Sequence, residues 1–126
     1  MTLQDDTLAD DLSAPLFADL VRDFYGRARL DPMLGPVFEA GVHDWEVHIG
    51  RVAAFWAQAA MGLRGYHGNP LAAHRKHALT PQMFDRWLEI WDRTVDARVT
   101  PDLAEPLKAR ARLIAESLKL GLFFTP

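Results

Sequence analysis

Residues 44–61 read DWEVHIGRVAAFWAQAAM, from Asp44 to Met61. His48, Val52, Phe55, Trp56 and Ala59 stand at offsets of four, seven, eight and eleven, so on a helix they share one face. Asp44 is placed to cap the start of that helix. Strict alternation of apolar and polar residues, the mark of a half-buried strand, is nearly absent here and in the rest of the chain. The spacing turns His48 inward, and a histidine on an apolar face needs a reason.

The same periodicity organises the flanks. Leu16, Phe17, Leu20, Val21, Phe24 and Tyr25 recur as pairs every four residues in a segment from about Ser13 to Arg29, and Ser13 and Pro15 suit a helix start. Asp31-Pro32 ends it, because the residue before proline is pushed out of the helical region. Leu34 to Gly41 then reads as a compact irregular corner anchored by Phe38. Gly62, Gly65, Gly68 and Pro70 mark a turn before a short helical piece around Leu71 to Lys76, which carries His74. Thr80-Pro81 opens a third long helix with Phe84, Trp87, Leu88, Trp91 and Val95 on one side. Thr100-Pro101 opens a fourth, striped by Leu103, Leu107, Ala111, Ile114, Leu118 and Leu122, and Pro106 predicts a kink or a restart near Glu105.

The expectation is a single all-α domain over 126 residues, with residues 1–11 and the last three the loosest. Fourteen Lys and Arg against 17 Asp and Glu leave a formal net charge of -3, which disfavours a nucleic-acid groove. The absence of cysteine excludes disulfides, thiolate catalysis, Cys-ligated zinc or iron-sulfur sites and covalent c-type haem attachment. Asp5, Asp6, Asp10 and Asp11 precede the first basic residue, Arg22, unlike a targeting segment, and the apolar run at Ala53 to Met61 is too short to cross a bilayer. A cytoplasmic monomer without membrane or nucleic-acid partners is the expectation.

No Gly-rich phosphate loop, Gly-x-Ser-x-Gly elbow or His-Glu-x-x-His pair occurs. What remains is five histidines (His43, His48, His67, His74 and His77), Tyr25 and four tryptophans, mostly on inward faces. That set suits a flat apolar cofactor such as haem, which needs a slot between helices, one neutral imidazole for iron and a few polar groups opposite it. Two inward histidines on different elements meet that minimum. Taken singly, His43, His67 and His77 read as ordinary surface or satisfied histidines, and the aromatics read equally as core.

Phe24-Tyr25, Leu34-Gly35-Pro36-Val37-Phe38, Trp45 with His48, Phe55-Trp56, Tyr66 through Gly68 to Pro70 with His74, and Phe84 with Trp87-Leu88 follow one another in a telling order and spacing. In this the chain resembles the truncated haemoglobins over nearly its whole length, most closely their third group, which the lack of a Gly-Gly pair also suits. The resemblance implies a shortened globin, a two-over-two helical sandwich holding haem b non-covalently. It implies His74 as the proximal iron ligand, with Tyr25, His48 and Trp87 on the distal side. Phe38, Val52, Phe55, Trp56 and Leu71 would surround the macrocycle, and Arg51 would pair with a propionate. The span from His74 to Trp87 is short for the family and contains His77 as an alternative ligand. His48 is expected to leave the iron open rather than ligate it.

The implied activity is binding of dioxygen, nitric oxide or other diatomic ligands, with redox chemistry such as nitric oxide or peroxide detoxification. Such turnover needs an unidentified reductase, since the chain has no nicotinamide or flavin motif. A ligand sensor or store without turnover is the alternative, and a haem-free helical interaction module the third reading.

Overall fold

The computed structural model describes residues 16–61 and 69–123. These form six helices and no strand: α1 (16–28), α2 (Gly35–Gly41), α3 (Trp45–Met61), α4 (Pro70–Arg75), α5 (Pro81–Arg98) and α6 (Pro101–Phe123). The expected all-α class holds. None of the helices is long and apolar enough to cross a membrane. The start at Ser13 and Pro15, the glycine-marked turn with His67, and the loose ends fall outside the described residues.

The helices pack as two layers of two. α1 meets α3 through a Tyr25–His48 contact and an Arg22–Glu46 ion pair. α5 and α6 run antiparallel, as the ion pairs Asp96–Lys108, Asp92–Arg112 and Asp85–Lys119 show by their opposite order along the two helices. The Trp91 indole N–H of α5 also donates to the Leu107 carbonyl of α6 at 3.3 Å. Between the layers Phe24 of α1 lies edge-on to Trp91 of α5, and Trp56 of α3 stacks on it. Phe17, Leu20, Val21, Ala28, Val95, Leu107 and Ala111 close this core at no more than 1% exposure. Burying each such large apolar side chain stabilises the fold by roughly 1.5–3 kcal/mol before its entropy cost.

Two expectations are corrected. Residues 35–41 are a helix rather than an irregular corner. The Asp31 carboxylate accepts the backbone N–H groups of Met33 and Leu34, both at 3.0 Å, and its carbonyl accepts that of Gly35 at 2.8 Å, so the free donors of the opening turn are satisfied. Gly35 is required there, because a Cβ would lie 2.5 Å from the Arg29 carbonyl oxygen. The helix does not restart near Glu105: α6 is continuous from Pro101 through Pro106. Pro106 and Asp102, whose carbonyl would have received the missing hydrogen bond, are both exposed, so water can satisfy that oxygen. At the other starts, Asp44 caps α3 by accepting the Val47 N–H at 3.2 Å, whereas Thr80 stands at the start of α5 without a side-chain cap.

The apolar interior divides in two. The larger cluster joins α1, α3, α5 and the first half of α6. A smaller one, built on Phe84, Ala115 and Leu118, lies under α4, with Leu71, Leu79, Leu122 and Phe123 packed against it. Leu88 and Ile114 touch both.

Candidate functional site

Beside the larger cluster Tyr25 and His48 form a polar pair. The Tyr25 Oη and His48 Nε2 lie 2.8 Å apart, with Tyr25 6% exposed and His48 half-buried. Burial pushes the Tyr25 phenol far above its usual range, so it stays protonated. Burial also lowers the pKa of His48, helped chiefly by the nearby Arg51 guanidinium, so its ring is neutral at physiological pH. Which tautomer the ring adopts decides the phenol's use. With Nε2 bare, Tyr25 donates to it; with Nε2 protonated, Tyr25 accepts and keeps its own hydrogen for another partner. Phe38 and Trp45 fix the phenol ring edge-on at 5.2 and 5.3 Å. Trp87, half-buried on α5, presents an indole that makes no hydrogen bond to a described residue.

On the smaller cluster, α4 presents His74. Asn69 starts this helix by accepting the Ala72 N–H at 3.1 Å, and Pro70 supplies a preset first turn. The helix ends at Arg75, one residue earlier than expected. His74 Nδ1 lies 2.6 Å from the Pro70 carbonyl oxygen. A carbonyl only accepts, so Nδ1 carries the proton and a neutral His74 has a bare, electron-rich Nε2. Its ring lies 6.3 Å from that of Phe84. His77 differs: it is exposed, and its ring lies against Gly41, where a Cβ would come within 2.6 Å of the imidazole.

Phe38, Val52 and Phe55 are half-buried on the larger cluster, and Leu71 is half-buried on the smaller. Trp56 is fully interior, stacked on Trp91. Arg51 is exposed and lines a cleft of about 240 Å³ together with His43, Asp44 and His48. Two contributors, Asn69 and Gly121, were missed by sequence reasoning, and two more, Trp45 and Phe24, were noted there without a role in the site. Trp45 also holds Arg29 over its ring at 4.2 Å, and its place three residues before His48, on the same face, was the available signal. Phe24 touches Tyr25, Trp87 and Trp91 at once. Asn69 gave a cap signal just before Pro70. Gly121 lets Leu71 approach α6, since a Cβ there would lie 2.7 Å from Leu71, and nothing in the sequence marks it.

Residues 9–116 match the bacterial-like globin family. This chain belongs to that family. The globin is 28% identical over 111 residues, 84% of its length and 87% of the relative's, to the Group 3 truncated hemoglobin ctb of Campylobacter jejuni. It also superposes on the crystal structure of the group III truncated hemoglobin from Campylobacter jejuni with a TM-score of 0.79 and 27% identity, covering 87% of this globin and 91% of that chain. The two-over-two fold is therefore that of the truncated globins, and globin membership implies a haem cofactor.

The residues present fit that group. His74 offers a bare imidazole nitrogen, the half-buried side chains offer apolar surface, and Arg51 offers a cation at the rim for carboxylates. Among the described residues no group of three or more His, Cys, Asp or Glu side chains would hold a bare ion. One imidazole suits instead a metal already held by a macrocycle.

Proposed function

We propose that this globin binds haem b non-covalently as a single haem domain, with His74 as the axial ligand and Tyr25, His48 and Trp87 facing diatomic ligands on the other side. The Nδ1–H of His74 donated to the Pro70 carbonyl carries this reading, because it orients the ring, fixes the tautomer and raises the basicity of Nε2. His77, committed to Gly41, lacks such an anchor. Phe38, Val52, Phe55, Trp56 and Leu71 line or back the macrocycle, and Arg51 pairs with a propionate.

When bound, haem supplies reversible ligand binding and one-electron chemistry. The chain's own part is electrostatic. Dioxygen and nitric oxide gain negative charge when they bind, and the Tyr25 phenol and Trp87 indole are hydrogen-bond donors for it. A hydrogen bond to a charged partner contributes roughly 1.5–3 kcal/mol, and about 1.4 kcal/mol is a factor of ten in affinity. Two such donors slow ligand release too far for oxygen delivery and favour redox use, namely nitric oxide or peroxide detoxification. A separate reductase is implied, since the chain carries no nicotinamide or flavin motif. The exposed large apolar residues among the described ones, Leu30 and Met33 after α1, Val47 on α3, and Leu113 and Leu120 on α6, are dispersed, which supports a monomer, and we place it in the cytoplasm.

The test is hemin reconstitution of the wild type, His74→Ala and His77→Ala, with absorption spectra in ferric, ferrous and carbon-monoxide forms. A sharp stoichiometric haem band that His74→Ala loses and His77→Ala keeps is expected. Identical wild-type and His74→Ala spectra contradict the assignment. Tyr25→Phe should then accelerate oxygen dissociation about tenfold or more; an unchanged rate removes Tyr25 from the distal role.

A further inference from the structure

Three of the four tryptophans form one stack. The Trp87 and Trp91 rings are 6.1 Å apart and within 5° of parallel, and Trp91 and Trp56 are 4.3 Å apart at 15°. These are the stacked ring pairs among the described residues; Phe24, Tyr25, Phe38 and Trp45 meet their neighbours edge-on. Offset-stacked and edge-on contacts both satisfy core packing, so what sets the three indoles apart is that their parallel contacts run on from one ring to the next. It also has a direction. Trp87 is half-buried at the ligand-binding side, whereas Trp91 and Trp56 are 1% and 2% exposed.

Close parallel rings can share a missing electron, and Trp91 has two parallel indole neighbours, Trp56 at 4.3 Å and the more offset Trp87 at 6.1 Å. Its Nε1–H donates to the Leu107 carbonyl at 3.3 Å, so the negative end of that dipole faces the ring and favours positive charge on it. An indole gives up one electron while keeping its proton. A phenol does so readily only if the proton leaves with the electron, and Tyr25 has His48 at 2.8 Å to take it, which makes that pair the competing sink.

We propose that Trp87, Trp91 and Trp56 are an electron relay that removes an oxidising equivalent from the haem pocket and holds it on the buried Trp91–Trp56 pair. The proposal rests on the haem reading above. The oxidant is hydrogen peroxide, which takes two electrons and two protons from its surroundings to become two waters. A bound haem would supply one electron, and solvent water would supply the two protons. Trp87 gives the other and is refilled by Trp91, whose N–H proton stays on its hydrogen bond to Leu107. No bond within the protein forms or breaks. A small one-electron reductant, or the separate reductase, restores both electrons. The relay keeps the oxidising equivalent away from Tyr25, His48 and the macrocycle.

The experiment is freeze-quenched electron paramagnetic resonance of the haem-loaded protein after one equivalent of peroxide, with natural and with ring-deuterated tryptophan. The expected radical signal narrows on deuteration, is lost in Trp91→Phe and weakens in Trp56→Phe, with a tyrosyl signal replacing it. If Trp91→Phe fails to fold, the isotope effect and Trp56→Phe decide. A signal insensitive to the label overturns the relay, as does a tryptophanyl signal unchanged in the variants. A protein with a complete haem spectrum and no radical overturns it while leaving the haem reading intact. Absence of the haem band before peroxide is added removes both.

Discussion

The two sides of the pocket are built differently. The side formed by α1, α3 and α5 is complete in the protein itself: Tyr25 and His48 satisfy each other at 2.8 Å, and Phe24, Trp56 and Trp91 are buried behind them. The α4 side has three buried residues in its cluster, Phe84, Ala115 and Leu118, and α4 itself buries none. Its order is local, coming from the Asn69 cap, the His74–Pro70 hydrogen bond and the seat of Leu71 over Gly121. In the proposed reading, one side is a preformed wall, and the other is an arm that would aim an imidazole and leave its apolar cover to the cofactor.

Substitutions on the two sides should differ in what they cost. Trp91→Ala removes a buried indole that stacks with two others, and chemical denaturation should show a loss of about 3–5 kcal/mol with or without haem. A loss that haem rescues would break the contrast.

Asp31→Asn is expected to cost less. Burial would raise the Asp31 carboxyl, but the Arg86 guanidinium and the N–H groups of Leu34 and Met33 outweigh it and hold the pKa below the usual carboxylate value. Replacing it should cost about 1.5–3 kcal/mol, toward the lower end because the Arg86 side chain is partly exposed and solvent screens the pair. The folded pKa is depressed, so this stability is fully present above the unfolded carboxylate pKa of about 3.9 and is lost as pH falls through the lower folded value. Denaturation midpoints of wild type and variant should therefore converge in acid; a constant difference contradicts the charge argument.

Asn69→Ala is the smallest change, about 1 kcal/mol for a lost cap. Because α4 is held locally, it should appear as faster amide exchange in α4 with little change in the global unfolding midpoint. A global shift of that size would mean that α4 folds as one unit with the core.

The long helices were legible because their apolar stripes repeat at three and four residues, and Tyr25 and His48 were legible as polar members of those stripes. The helix at 35–41 was hidden because its first turn is stabilised by Asp31, itself paired with Arg86 on α5 at 2.6 Å, a contact 55 residues away. Pro106 misled because helix rules charge it for a hydrogen bond that water replaces on the exposed side of α6. His74 was singled out by the family resemblance, through its place after the Tyr66 to Pro70 segment, but the carbonyl that meets its Nδ1 is a matter of geometry. The tryptophan stack was likewise out of reach, since periodicity says that Trp56, Trp87 and Trp91 point inward and nothing about the angle between their rings.

Amide hydrogen exchange on the protein without and with hemin, in the wild type and in His74→Ala, tests the central contrast most directly. In the wild type hemin should raise protection across residues 70–75 while leaving the amides around Val95 and Leu107 nearly unchanged, and His74→Ala should show no such gain. Protection of α4 that is the same without hemin, or that rises equally in His74→Ala, would contradict an imidazole arm completed by haem.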